Sequence, residues 1–178
     1  MKRVGDEQLN RDLEAEFEGY QPLDLLISGP RPAKFVAGEP NGQRIRVRYF
    51  WRARENRMKG RVWFGPGAEG PPGYAHGGAV AALLDEVMGI SAWASGYKVL
   101  AADINIRFRR PTPLSEILTF TGEVERTEGR KIYCLGKVYN SDGELIASGE
   151  GLFMNLKEEM LEELRSKLDE IPSWLQPA

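Results

Sequence analysis

Tyr74-Ala75-His76-Gly77-Gly78-Ala79-Val80-Ala81-Ala82-Leu83-Leu84-Asp85-Glu86-Val87-Met88-Gly89 sets the architecture of this chain. From Gly77 to about Ala94 almost every residue is apolar or small, which predicts a helix without a polar face. Such a helix has to be buried on most sides. The segments around it are built on the other period. Ile45, Val47, Tyr49 and Trp51 alternate with Arg44, Arg46, Arg48 and Arg52. Met58, Val62 and Phe64 form one face of a second run. Ala102, Ile104, Ile106 and Phe108 alternate with Asp103, Asn105, Arg107 and Arg109; Leu118, Phe120 and Val124 alternate with Thr119, Thr121, Glu123 and Glu125. Period two is the mark of a strand with one face on a core. Lys131 to Tyr139 and Glu144 to Met154 complete the set. An antiparallel sheet of five to six strands wrapped around one apolar helix satisfies both periods, so the expected class is α+β.

The ends read differently. Asp6 to Gly19 predicts a helix, with Leu9, Leu13 and Phe17 at spacing four and Gly19 as its stop. Residues 21–43 are rich in Pro and Gly and read as an extended connector. Asn155-Leu156-Lys157-Glu158 has the form of a capping box and opens a helix to about Glu170, with Leu161, Leu164 and Leu168 on one side and Pro172 as its stop. The expected organisation is therefore residues 1–43 as helix and connector, 44–154 as the main domain, and 155–178 as helix and tail. Turns are expected at Glu55-Asn56, Glu128-Gly129-Arg130 and Asp142-Gly143.

Composition narrows the chemistry by exclusion. The 178 residues include one Cys and one His, which excludes an intrachain disulfide and a Cys/His zinc cluster. No Gly-x-Ser-x-Gly elbow occurs, and Cys-His catalysis would need Cys134 and His76 to meet. With neither in reach, a carboxylate is the leading candidate base. No metal and no redox cofactor is expected. Met1-Lys2-Arg3-Val4-Gly5-Asp6-Glu7 lacks the apolar core of a signal peptide, and no apolar run reaches the ~18 residues of a membrane span. The expected location is cytoplasmic, with no membrane partner. Eight basic residues and one acid lie between Arg44 and Arg61, although the formal net charge of the chain is only -2. Alternation puts most of these cations on what reads as the solvent face of a hairpin, so no nucleic-acid partner is expected.

Three clusters could carry chemistry. Gly65-Pro66-Gly67-Ala68-Glu69-Gly70 matches Gly-x-Gly-x-x-Gly, but Pro71-Pro72-Gly73 denies it the helix that a dinucleotide site requires. His76-Gly77-Gly78 opens the apolar helix, where free backbone N–H groups suit an anion or a developing oxyanion. The glycines equally suit tight packing. Asp85-Glu86 lies inside the same helix, and acids are rarely buried without a partner. The two point about 100° apart, so one should meet a cavity or interface and the other a cation.

The stretch from Tyr74 to Gly89 resembles the signature of the PaaI-type hotdog-fold acyl-CoA thioesterases. Ala102-Asp103-Ile104-Asn105-Ile106-Arg107-Phe108-Arg109-Arg110-Pro111 and the turn Glu128-Gly129-Arg130-Lys131 are similar to later elements of that family. The resemblance covers roughly residues 44–154. It implies a hotdog fold and hydrolysis of acyl-CoA thioesters. It implies Asp85 as general base or nucleophile, the Gly77 N–H as the group that polarises the thioester carbonyl, and His76 as a supporting neighbour. Gly78 and Glu86 join the expected substrate-binding set. Arg107, Arg109, Arg110, Arg130 and Lys131 are the expected phosphate partners of CoA. Two positions depart from the family pattern. An Asn or Gln six residues before the His is replaced by Gly70, and a Ser or Thr early in the next strand by Ala101, with Asp103 as the nearest polar group. These losses keep open an acyl-CoA-binding domain with little turnover; a hydratase or dehydratase on the same fold is the other alternative. His76 and Asp85 are nine residues apart, about 13 Å of helix. General-base chemistry works over one hydrogen bond or one water. The expected site is therefore shared between two chains of a homodimer, with a tetramer as a further assembly.

Overall fold

The computed structural model describes residues 6–23, 35–36 and 42–167. The proposed end of the C-terminal helix, its stop at Pro172 and most of the connector lie outside the described residues.

The described chain runs α1 (Asp6–Glu14), β1 (Gln21–Pro22), β2 (Ile45–Arg52), β3 (Arg57–Phe64), α2 (Gly77–Ala94), β4 (Val99–Phe108), β5 (Ile117–Glu128), β6 (Lys131–Tyr139), β7 (Leu145–Asn155) and α3 (Glu158–Ser166). The strands form one sheet in the order β1-β2-β3-β5-β6-β7-β4. Every pairing is antiparallel. The six long strands are those expected; the seventh, β1, is a two-residue addition beside Phe50 and Trp51. No described helix is long and apolar enough to cross a membrane.

Helix α2 nests in a trough that the sheet provides. Gly122 of β5 pairs with Gly136 of β6, which pairs in turn with Gly149 of β7. A Cβ at Gly122 would lie 2.4 Å from Ser91 Oγ and 2.6 Å from Val87 Cγ1. One at Gly136 would lie 3.0 Å from Leu84 Cδ2, and one at Gly149 3.1 Å from Met88 Cε. The row of missing side chains is thus filled from above by the helix. Val80, Leu83, Leu84, Val87, Met88, Ser91 and Ala92 are buried there. The buried Ser91 hydroxyl donates to the Val87 carbonyl, 2.7 Å away, which satisfies it inside the core.

The basic hairpin β2–β3 is not a solvent face, contrary to the sequence reading. Residues 6–20 lie over it. Arg46 is 1% exposed. It donates to Asp6 Oδ1 at 2.7 Å and to the Gly42 carbonyl at 2.8 Å, and its guanidinium stacks 5.0 Å from the Trp63 ring. Leu9 and Leu13 close the other side of Trp63. Arg48 reaches Glu14, Arg52 the Glu18 and Gly19 carbonyls, and Arg61 the Ala15 carbonyl. Phe17 sits edge-on to Phe50 and under Arg61. The alternation was correct, but the polar face of the strand serves as a second packing face. The same contacts explain why α1 ends at Glu14 and not near Gly19. The carbonyls of residues 15, 18 and 19 accept from arginines of the sheet.

Two local expectations also change. The capping box does not form. Lys157 holds the cap position without a side-chain bond, while Asn155 Oδ1 accepts from the Lys98 N–H at 3.0 Å. Asn155 therefore ties the end of β7 to the approach to β4. In β4 a bulge falls between Ala101, opposite Phe153, and Asp103, opposite Leu152. Two residues face one, so the side-chain alternation reverses. Asp103 consequently lies on the opposite sheet face from Ala101, not the same face. The hairpin at Asp142-Gly143 is as read, with Gly143 at φ 80° and Asn140 Oδ1 accepting from the backbone of Asp142 and Glu144.

Gly122→Ala is expected to destabilise the fold by about 1–3 kcal/mol, the usual cost of overpacking a tight core; urea unfolding reads this, and an unchanged midpoint would refute the trough. Asp6→Ala leaves a buried guanidinium short of its anion. A loss of about 1–3 kcal/mol is expected, with partial recovery when Arg46→Met removes the charge as well.

Candidate active site

His76 caps α2. Its backbone is extended (φ -60°, ψ 134°), and its Nδ1 accepts from the Gly78 N–H at 2.9 Å. With Nδ1 accepting, the ring proton resides on Nε2. The His76 N–H donates to the Ala68 carbonyl at 2.7 Å, which fixes the loop before the helix against the loop after β3. The Gly78 N–H, an expected substrate donor, is therefore spent on the cap. The Gly77 N–H has no acceptor among the described residues. It stands at the positive end of an 18-residue helix, so one open donor remains where an oxyanion would be held. Phe108, half exposed at the end of β4, lies beside it; a Cβ at Gly77 would be 3.5 Å from its ring.

A cavity of about 410 Å³ opens against this first turn, walled by Arg44, Ile45, Ala68, His76, Gly78 and Ala79 among others. The Gly70 backbone closes tightly on His76. A Cβ there would lie 2.8 Å from the His76 Cα, so a longer helper side chain would need the loop to move. Ala101 presents only a methyl group on the face of β4 that looks toward α2, opposite Phe153.

The adjacent acids separate as helix geometry requires. Asp85 is exposed on the isolated chain, on the side of α2 that the sheet leaves open. Partial burial still raises its carboxyl above the usual aspartate range. Glu86 turns inward. The Tyr49 hydroxyl donates to Glu86 Oε1 at 2.5 Å. Tyr49 is buried in the core, and burial first, then the Glu86 charge, pushes its phenol well above the ordinary value. Tyr49 read as plain core from the sequence. The available signal was a phenol on the inward face of a strand in a domain whose central helix carries two acids.

The expected phosphate ligands scatter. Arg107 pairs with Glu150 and Arg110 with Glu144, each at 3.1 Å. Arg130 donates twice to the Asn155 carbonyl, at 3.0 and 2.9 Å. The register puts Asp103 and Arg107 on the face of β4 away from α2, opposite Leu152 and Ser148. Arg109 and Lys131 are exposed, with no ion pair among the described residues. Cys134 is buried in the core beside Met88 and Phe153, its thiol pushed up to about 12, while His76 is exposed; the two do not meet.

Residues 72–147 match the family model described as Thioesterase superfamily. A human protein named acyl-coenzyme A thioesterase THEM5 is 33% identical over 97 residues, which cover 53% of this chain and 39% of that protein. The chain thus spans about two fifths of that relative's length. A solved protein from Bacillus halodurans, crystallised with CoA, is 30% identical at a TM-score of 0.52, covering 57% of this chain and 68% of that one. The Escherichia coli PaaI protein is 18% identical at a TM-score of 0.54, covering 57% and 74%; at that identity the likeness is one of fold. The matched segment holds the capped apolar helix and strands β4 to β6; it resembles the thioesterase superfamily, and the fold it belongs to is the hotdog fold of the PaaI protein.

Proposed function

We propose that the protein hydrolyses acyl-CoA thioesters as a cytoplasmic homodimer. The observation that carries this reading is the pairing, on one helix, of an open N–H at Gly77 with an exposed, pKa-raised carboxyl at Asp85. The thioester carbonyl accepts from Gly77 and water attacks its carbon. Asp85 takes the proton as general base; in the nucleophilic alternative its carboxylate attacks the carbonyl first, expelling the CoA sulfur, and water then hydrolyses the acyl-aspartyl anhydride to the free acid. Charge developing on oxygen is met by the N–H and the helix end. The CoA sulfur leaves and is protonated. His76 holds the first turn in shape. The THEM5 name and the B. halodurans protein solved with CoA support the substrate class. Arg109 and Lys131 are the two expected phosphate ligands whose side chains have neither an ion pair nor a hydrogen bond among the described residues.

Gly77 and Asp85 lie eight residues apart, about 12 Å along the axis, so a shared carbonyl calls for two chains. Support comes from the edge strand β4, ten residues long, with Leu100 and Phe108 each 52% exposed. An edge of that length is a ready pairing template. Beside it, Gly78, Ala81, Ala82 and Gly89 give the open side of α2 a low relief that a partner helix can approach.

Asp85→Asn abolishes thiol release from acyl-CoA while leaving the dimer intact. It also raises the urea midpoint at pH 7, because a carboxyl whose folded pKa is raised is destabilising once ionised and costs nothing when protonated. By the same sign, kcat falls as pH drops through the folded pKa, with a midpoint above that of an ordinary aspartate. Gly77→Pro keeps the helix, since proline suits its first position and His76 is already extended. It deletes the N–H, and a 10²–10³-fold loss of kcat is expected. Random mixing of Gly77→Pro and Asp85→Asn chains restores about a quarter of the wild-type activity, since half the dimers then hold one intact site of two. No recovery on mixing would place both groups in one chain. CoA binding without thiol release in the wild type would favour a binding domain.

A further inference from the structure

We infer that Tyr49 is a positioning residue: through its bond to Glu86 it fixes the rotation of α2 about its own axis within the trough, and so the direction in which Asp85 faces the reaction. This rests on the thioesterase reading above and deepens it. The helix is apolar on almost every side, and apolar contacts are non-directional. Packing into the glycine trough sets which side of the helix is buried, but it opposes small rotations only weakly. Asp85 and Glu86 are one step, about 100°, apart. A turn in the sense that brings Glu86 toward the open face carries Asp85 toward the buried place of Leu84, beside Gly136. The Tyr49 hydroxyl, 2.5 Å from Glu86 Oε1, holds the other arrangement.

The phenol is itself held from two sides. Tyr49 lies opposite Gly60 in the β2–β3 register. A Cβ at Gly60 would lie 2.0 Å from Phe120 Cζ, so the glycine makes room for that ring. Phe120 then meets Tyr49 edge-on, with centroids 5.7 Å apart at 61°. The backbone around Tyr49 is fixed as well, since its carbonyl accepts from the Leu23 N–H at 2.9 Å. The tyrosine is thus anchored by the sheet and presents one directional donor to the helix.

Steady-state thiol release tests this in full-length protein. Tyr49→Phe and Glu86→Leu should each lower kcat about tenfold with KM within about twofold, the pattern of a misplaced group and not of lost binding. Glu86→Gln keeps an acceptor oxygen and should recover most of that loss. Ile132→Val, in the core away from the bond and lowering the melting temperature alone, should leave kcat in place. If Tyr49→Phe loses no more activity than Ile132→Val, the inference is wrong. A second arm does not depend on turnover. In an Asp85→Cys background, iodoacetamide reads the accessibility of position 85, because the native Cys134 is buried with its thiol at about 12. Adding Tyr49→Phe should change that alkylation rate at least about threefold; identical rates overturn the proposal. Absence of thiol release in the wild type would count against the thioesterase reading, and the alkylation arm would still decide the role of Tyr49.

Discussion

The closeness of α2 to the sheet is the constraint on which the rest of the structure depends. Three glycines aligned across β5, β6 and β7 remove the side chains that would otherwise hold the helix away. Leu84, Val87, Met88 and Ser91 occupy that space. Helix and sheet can then share one core, and only the side of the helix away from the trough stays open. Asp85 lies on that side, and the open N–H of Gly77 stands at the helix start. Catalytic geometry is in this sense a by-product of packing. The sheet decides which helical positions are buried, and what remains is the candidate site.

Two adjacent acids illustrate how environment divides similar groups. Asp85 and Glu86 have nearly the same intrinsic chemistry, yet one faces outward with a raised pKa and the other is bonded to a buried phenol. Their separation follows from the helical period. Glu86 is the one that meets β2, whose Tyr49 donates to it.

Much of this was legible from residues alone. The apolar run 77–94 marked α2 to within the residues observed, and period-two alternation together with the turn signals found all six long strands. The turn at Asp142-Gly143 and the separation of Asp85 from Glu86 were also readable. What escaped was tertiary. The arginines of β2 and β3 looked like a solvent face because nothing local states that residues 6–20 return to cover them. A bulge at Ala101/Asp103 is invisible to a strict alternation count, and it puts Asp103 on the sheet face away from α2. Asn155 had the right identity for a helix cap but a better acceptor task at Lys98. Local pattern was overridden in each case by a partner distant in sequence.

Strand β2 is used on both sides, and this has a consequence for how the gene can change. Arg46, Arg48 and Arg52 secure the N-terminal segment on one face, while Val47 and Tyr49 serve the helix on the other. In an ordinary half-exposed strand a slip of one residue misplaces a single set of contacts. Here the insertion or deletion of one codon would exchange the two sets at once. It would drive guanidinium groups toward α2 and the phenol toward Trp63. Substitutions in β2 can be absorbed one at a time, but its length cannot drift, so among relatives that keep this N-terminal segment the spacing from Arg46 to Arg52 should be better preserved than the residues themselves.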